Sequence, residues 1–525
     1  MKNLKTKFPM IEIAALLLLI AFFPLIAKVN FMQNDDWNRT TSVARFLNGD
    51  FKLLDVTATT FYTQGVLGLF FALIFGLKKL PLLTLIVSVL DFYVFARILF
   101  DHFNLSRFKS SLVSLVLFFT PLHMYSAIGF MTENYVMLFM LLSLYFFLSY
   151  EKKPKWSQFI LFNISGFLAF FAKQSGLLIN AAAFLYFLLK KKYKEALIQL
   201  GFLVVLLGYY SFFFPKTDEM GDKGFIRGIR ISHLLDVGYA YSIVYGMLLV
   251  AASFALPIVI YFVVSTFFNV RKSKLTIAGL LISAICLFFL LNKIYDPGKI
   301  SWAEYPYFEN TFERTGFFPR SVLGTKYQFR GNYKLFTYWD LTSKVFLALA
   351  IPCLYVYGRK IINIYSISIA GYCVLMIFVK VFFDRYTLPV IPLFILFLLC
   401  LRVPDTKPLL TEKFFPFVVG SFVLVMAFVS TQLAIDFVLS NNYIWGKSEQ
   451  LVSTGVKPEK IRATTSWGKL YGLCWQGGCR YLFSYDTLEK NPSLKVDYVL
   501  DDEKDLSFPG SIFIKPKVYL YKRVL

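Results

Sequence analysis

The chain has 525 residues, 57% hydrophobic and only 17% charged, with 55 Lys and Arg against 32 Asp and Glu and a formal net charge of +23. Apolar runs of about 20 residues, each long enough for a bilayer, recur from the N-terminus to about residue 437. This excludes a soluble enzyme, a nucleic-acid-binding protein, a secreted disulfide scaffold and a disordered chain, and it makes the basic excess an anchoring charge on the cytoplasmic side of a polytopic membrane protein.

The first run, residues 10–27, ends in Leu25-Ile26-Ala27, which lacks the first small residue of a signal-peptidase site. It reads as an uncleaved helix with its N-terminus inside. Directly after it comes Asn34-Asp35-Asp36-Trp37-Asn38-Arg39, heading an outer loop over about residues 30–60 whose amphipathic stretch runs through Ala44-Arg45-Phe46-Leu47 to Gly49-Asp50. Two adjacent acids at a membrane surface have two readings. Helix capping, with a side-chain oxygen meeting free N–H groups, accounts for one of them. A carboxylate held to take a proton from an attacking hydroxyl, with its neighbour orienting it or holding a metal, accounts for both.

Five apolar runs appear before residue 151, near 10–29, 61–77, 80–100, 110–130 and 132–150, where topology demands an even number. The run at 61–77, short and carrying Gly65, Gly68 and Gly76, is the one expected not to cross. Beyond it, the basic clusters Lys152/Lys153/Lys155, Lys190/Lys191/Lys192/Lys194, Arg271/Lys272/Lys274 and Arg359/Lys360 alternate with apolar runs without conflict if all lie inside. That places Lys173 at an outer turn, leaves outer loops near 215–239 and 296–340, and puts Asp384-Arg385-Tyr386 outside. About 13 helices result. The last run, about 414–437, delivers residues 438–525 to the outside as a small α/β domain, with strands at Ser511-Ile512-Phe513-Ile514 and Val518-Tyr519-Leu520. Cys474 and Cys479 are spaced for a small-loop disulfide, and the sequence leaves that pairing open.

Four local patterns, in order, resemble the GT-C membrane glycosyltransferases, in particular the branch of protein O-mannosyltransferases and lipid A aminoarabinose transferase. They are Asp35-Asp36 with Ala44-Arg45 and Gly49-Asp50; Thr120-Pro121 with Thr132-Glu133; Phe167-Leu168-Ala169 through Lys173-Gln174-Ser175-Gly176-Leu177; and Asp384-Arg385-Tyr386-Thr387-Leu388-Pro389 with Pro392. The resemblance covers roughly residues 10–440 and implies an all-α polytopic transmembrane fold of the GT-C type with a small extracytoplasmic α/β C-terminal domain.

It also implies an inverting transfer of a sugar from a polyprenyl-phosphate carrier to a hydroxyl of a lipid, protein or polysaccharide on the extracytoplasmic face, with no nucleic acid involved. Asp35 is then the general base. Asp36 orients it, and the pair is the candidate seat of a divalent cation. Lys173 and Arg385 neutralise the carrier phosphate, and Glu133 organises those two cations. The sequence departs from the family at Tyr62-Thr63-Gln64-Gly65, where the family often has Lys-Pro-Pro, so a phosphate-binding cation is missing there. Structural readings stand beside these roles: Lys173 as a snorkelling residue, Arg385 as a partner of Asp384, Glu133 as a helix cap. Arg227, Arg230 and His233, and Arg314, Arg320 and Arg330, read as loop surface charges, and Trp302, Tyr305, Tyr307 and Phe308 as an interfacial belt. The alternative function is a transporter or flippase of lipid-linked sugars, which would place its acids at mid-membrane depth. A ligase or polymerase acting on a diphosphate carrier is the rival within enzymes.

Overall fold

The computed structural model describes residues 9–54, 57, 59–214, 232–271, 273–296, 311–313, 316–317, 333–379, 382–401, 408–472, 474, 478–490, 495–511, 514 and 516–524, with backbone alone for 333–336 and 408–413. Arg227, Arg230, Arg314, Arg320 and Arg330, with Trp302, Tyr305, Tyr307 and Phe308, lie outside the described residues. His233 is packed on Tyr239, ring to ring at 4.2 Å, with its Nδ1 3.2 Å from the Ile377 carbonyl.

The protein is mainly helical. Among the described residues six helices are long and apolar enough to cross a membrane: Leu77–Phe103, Thr132–Lys152, Tyr193–Phe212, Val237–Phe254, Lys274–Ile294 and Phe414–Ser453. A seventh candidate span is the pair Arg107–Phe118 and Pro121–Ile128, bent by 70°. Hydropathy hides this break, but Thr120-Pro121 explains it. Thr120 Oγ accepts the His123 N–H at 3.3 Å and proline takes the first helical position, so a new helix starts there. The carbonyls freed at the break find side chains. His123 Nδ1 lies 3.1 Å from the Phe118 oxygen, and Ser430 Oγ donates to the Phe119 carbonyl at 2.6 Å, so side chains meet the backbone oxygens that the break leaves unpaired.

The helix Tyr62–Phe75, from the run expected not to cross, is tied near each end to the end of another apolar helix. The Phe61 N–H bonds the Ala172 carbonyl at 3.2 Å, and Lys79, just past the other end, reaches the Ala27 carbonyl at 3.0 Å. Ala172 and Ala27 each stand at the C-terminal end of an apolar helix, Trp156–Ala172 and Met10–Ile26.

The last long helix, Pro408–Ser453, carries the chain 16 residues past the boundary expected at 437, because nothing stops it there. It ends at Gly455, whose φ of +91° is open to glycine, with Gly455 N–H to Val452 and Val456 N–H to Leu451 closing the turn. The helix Tyr333–Tyr355 likewise begins before the expected end of the 296–340 loop. Strands β1 (Phe312–Glu313) and β2 (Gly316–Phe317) form a short hairpin in that loop. After the long helix come β3 (Ile461–Arg462), a helix Thr465–Tyr471, β4 (Tyr481–Ser484), β5 (Tyr498–Asp505) and β6 (Lys517–Arg523). They make a mixed sheet in the order β3-β4-β6-β5, with β3 and β4 parallel and the other pairs antiparallel. The expected strand at 518–520 is part of β6; Ile512 and Phe513 lie outside the described residues. Cys474 and Cys479 are joined in a disulfide. Tyr443 and Lys447 tie the extended helix to β5 through Asp502, at 3.1 and 2.9 Å.

Candidate functional site

The segment after the first helix turns sharply at Asn34, a non-glycine residue at φ +40°, and the helix Asp36–Leu47 begins. Asp35 occupies the capping position but makes no side-chain bond to the helix backbone. Capping therefore does not account for it. Asp36 is inward and nearly inaccessible: Oδ2 accepts the Phe130 N–H at 2.7 Å and the Gln33 N–H at 3.3 Å, and Oδ1 meets Arg39 Nη1 at 3.3 Å. Gln33 adds a bond to the Tyr125 carbonyl at 3.0 Å. The loop is thus seated on the helix Pro121–Ile128 and the turn after it. A Cβ on Gly129 would lie 2.3 Å from Asp36 Oδ2, so glycine makes that approach possible. Downstream, Arg45 Nε donates to Asp50 at 2.8 Å across a helix end closed by Gly49 at φ +80°. The Ala44-Arg45 and Gly49-Asp50 pattern is a helix and its stop.

Three more segments converge on Asp35. Glu133 lies in the first turn of Thr132–Lys152, and Lys173 is the extended residue that ends Trp156–Ala172 before the short helix Gln174–Leu177. That turn needs Gly176, because a Cβ there would fall 2.3 Å from the Ala169 carbonyl. Arg385 sits in the one-turn helix Asp384–Thr387 ahead of Val390–Cys400. Its guanidinium bridges two acids, with Nη2 3.3 Å from Asp35 Oδ2 and Nε 3.2 Å from Glu133 Oε1. Lys173 Nζ reaches the same Glu133 oxygen at 3.4 Å and lies 4.2 Å from the Tyr386 ring centroid. Glu133 Oε2 is buried without a hydrogen-bond partner, an acceptor open to a ligand. Asp384 is used differently: Oδ1 takes the Arg385 N–H at 2.7 Å and Oδ2 the Phe312 N–H at 2.9 Å, pinning the β1–β2 hairpin.

A fourth cation comes from the C-terminal unit. Lys469 Nζ is 3.0 Å from Asp35 Oδ1, and Ser466 on the same short helix donates to the Asn34 carbonyl at 2.9 Å. Trp467, fully buried, holds that helix by packing edge-on against Trp445 at 5.1 Å. Sequence reasoning missed Lys469, since a lysine in a polar segment reads as solvated, and it quoted Arg39 without giving it a role.

The electrostatics separate the two adjacent acids. Burial pushes the Asp35 carboxyl up, but Lys469, Arg385 and Arg39 outweigh it and hold the group well below the usual carboxylate range. At Asp36 burial wins over Arg39 and the two backbone N–H donors, raising it to about 7. Desolvation pulls Lys173 down against the attraction of Glu133, while Arg385, despite its burial, is pushed up by Glu133 and Asp35. Four cations, Arg39, Lys173, Arg385 and Lys469, thus face three carboxylates, one of which ionises only near neutrality. The centre is poised to accept an anion.

A divalent ion fits this arrangement poorly. Both Asp36 oxygens are engaged and both Asp35 oxygens face cations, and among the described residues no group of three or more His, Cys, Asp or Glu side chains is arranged to hold a metal ion. No family model matches the chain, and neither does any curated protein or any solved structure.

Proposed function

We propose that the chain is an integral-membrane glycosyltransferase that moves a sugar from a polyprenyl-phosphate carrier to an acceptor hydroxyl on the extracytoplasmic face, with inversion at the anomeric carbon. The observation that carries this reading is the meeting of Asp35, Glu133, Lys173 and Arg385, from segments as much as 350 residues apart, at the ends of apolar helices. In the reaction the hydroxyl oxygen attacks the anomeric carbon from the face opposite the phosphate. The carbon–oxygen bond to phosphate breaks, the electron pair leaves with the polyprenyl phosphate, and Asp35 takes the hydroxyl proton. Lys173 and Arg385 meet the charge that builds on the leaving phosphate, and their burial, with side chains 15% and 4% exposed, strengthens that interaction. Glu133 keeps the two cations together, and its open oxygen is available to a sugar hydroxyl.

A groove of about 640 Å³, lined by Tyr62, Val66, Phe139, Phe167, Phe171 and Tyr209 among others, takes one wall from the end of the helix Trp156–Ala172, which Lys173 follows in the chain. It suits an isoprenoid chain whose phosphate enters between the cations. Asp36 has a positioning role, fixing the loop that carries Asp35.

One observation favours the transport reading. Asp91, midway along Leu80–Phe103, is fully buried and faces His123 at 3.4 Å, an acid at the depth a transporter would use. The discriminating experiment reconstitutes the purified protein in liposomes with radiolabelled polyprenyl-phosphate sugars. Cleaved carrier supports the enzyme; intact carrier on the opposite leaflet, lost in Asp91→Leu and retained in Asp35→Asn, supports the transporter.

A further inference from the structure

We infer that Lys469 is the acceptor-side contact of this site, and that the acceptor carries an anionic group beside its hydroxyl which draws Lys469 away from Asp35. The inference rests on the glycosyl-transfer reading and names the substrate class that reading leaves open.

The cations around Asp35 are graded from core to solvent. The side chains of Arg385 and Lys173 are 4% and 15% exposed, whereas that of Lys469 is 36% exposed. The first two are buried against Glu133 and are the pair the glycosyl-transfer reading assigns to the carrier phosphate. Lys469 stands on the open side, where an acceptor must arrive, and it is brought there by the sheet-bearing C-terminal unit rather than by the bundle. Its placement is built. Ser466, three residues earlier on the same helix, is bonded to the carbonyl of Asn34, the residue before Asp35, and Trp467 anchors the turn between them. The charged groups facing Asp35 are Lys469, Arg385, Arg39 and Asp36.

Such a carboxylate is a weak base while Lys469 stays in place, since a general base works best with a pKa near the working pH. When Asp35 takes the hydroxyl proton it also loses its charge, and Lys469 loses its partner. An anion on the acceptor resolves both problems. Lys469 moves onto it as the acceptor binds, Asp35 becomes more basic, and no cation is stranded after the proton has moved.

The test uses the full-length protein in nanodiscs with a set of radiolabelled polyprenyl-phosphate sugars, offering glycerol or sn-glycerol 3-phosphate as acceptor to wild type, Lys469→Gln and Lys469→Arg. The wild type should prefer the phosphorylated acceptor by roughly tenfold to a hundredfold in kcat/KM, the worth of one charge-assisted hydrogen bond. Lys469→Gln should lose that preference through acceptor KM with donor KM unchanged, and Lys469→Arg should keep it. The acid limb of the Lys469→Gln pH–rate profile for glycerol should move toward neutral pH. A binding arm reads the anion without turnover: glycerol 3-phosphate should raise the melting temperature of wild type and of Lys469→Arg, and leave Lys469→Gln unchanged. Carrier cleavage with no anion preference, or with a preference that survives in Lys469→Gln, overturns the inference while leaving the glycosyl-transfer reading intact. Absence of cleavage with any acceptor overturns that reading instead. The melting data then decide the anion site, and equal stabilisation of wild type and Lys469→Gln would overturn it.

Discussion

Arg385 offers the sharpest perturbation, because one buried guanidinium compensates two carboxylates. At the observed separations of 3.2 Å to Glu133 and 3.3 Å to Asp35, each pair has a gross Coulomb energy of about 5 kcal/mol at an effective dielectric near 20. Desolvation offsets much of that, and breaking a buried pair by removing one partner typically costs about 3–5 kcal/mol. Lys173 remains 3.4 Å from Glu133 and Lys469 3.0 Å from Asp35, so Arg385→Gln should cost about 3 kcal/mol, the low end of that range. Most of the cost falls on Glu133, buried and left with Lys173 alone. Adding Glu133→Gln should therefore restore about 1.5 kcal/mol or more, well outside the roughly 0.5 kcal/mol scatter of independent sites. Activity should behave differently. Arg385→Gln should lower single-turnover carrier cleavage by roughly a hundredfold to a thousandfold, and the double variant should not recover it, because the phosphate still lacks its cation. Thermal denaturation in nanodiscs read beside single-turnover cleavage measures both. Stability losses that simply add in the double variant would refute the reasoning, as would recovery of cleavage together with stability.

Asp36 and Asp384 give a pH dependence of defined sign. Both are raised to about 7 by burial, each partly opposed by backbone N–H donors, so ionising them costs the folded protein. Stability should fall as pH rises from about 4 to about 7, by as much as about 4 kcal/mol for a shift of three units at one group, and then level off. Asp36→Asn and Asp384→Asn should each flatten that slope in melting temperatures taken from pH 4 to pH 8; an unchanged slope in both would contradict the assignment. Asp35, held low, contributes in the opposite sense, its share being lost only as pH falls below about 4. Gly176→Ala should displace the Lys173 turn, since the added carbon meets the Ala169 carbonyl, and should weaken carrier retention on the purified protein while the C-terminal unit keeps its protease resistance. Carrier retention equal to wild type would count against Lys173 as a phosphate contact.

The apolar runs were legible because a helix in lipid must satisfy its backbone internally and be apolar over its length, a constraint that writes itself into composition. The break at Thr120-Pro121 was written in the same stretch as an N-cap and a first-position proline, but hydropathy averages over it. The continuation of the last helix to Ser453 was not legible as a span. Past residue 437 its residues turn polar, and it packs on the sheet through Tyr443 and Lys447. At the site, Asp35, Glu133, Lys173 and Arg385 could be named through the four motifs of the resemblance, and charge at the end of an apolar run, being costly, added weight to them. The division of labour between Asp35 and Asp36 came from the resemblance alone; its physical basis, one carboxyl turned toward Phe130 and the other toward Arg385, is tertiary. Lys469 had no local signal at all; its importance comes from a tertiary contact 434 residues away along the chain.

The most direct measurement of the central claim is single-turnover cleavage of a radiolabelled polyprenyl-phosphate sugar by wild type and by Asp35→Asn in nanodiscs, with carrier binding measured in parallel. A general base accounts for roughly a hundredfold to ten-thousandfold in rate. Asp35→Asn should therefore bind the carrier as wild type does, through Lys173 and Arg385, and transfer the sugar slower by that factor. Transfer at the wild-type rate in Asp35→Asn would contradict the account, as would the absence of any Asp35-dependent cleavage across the carriers tested.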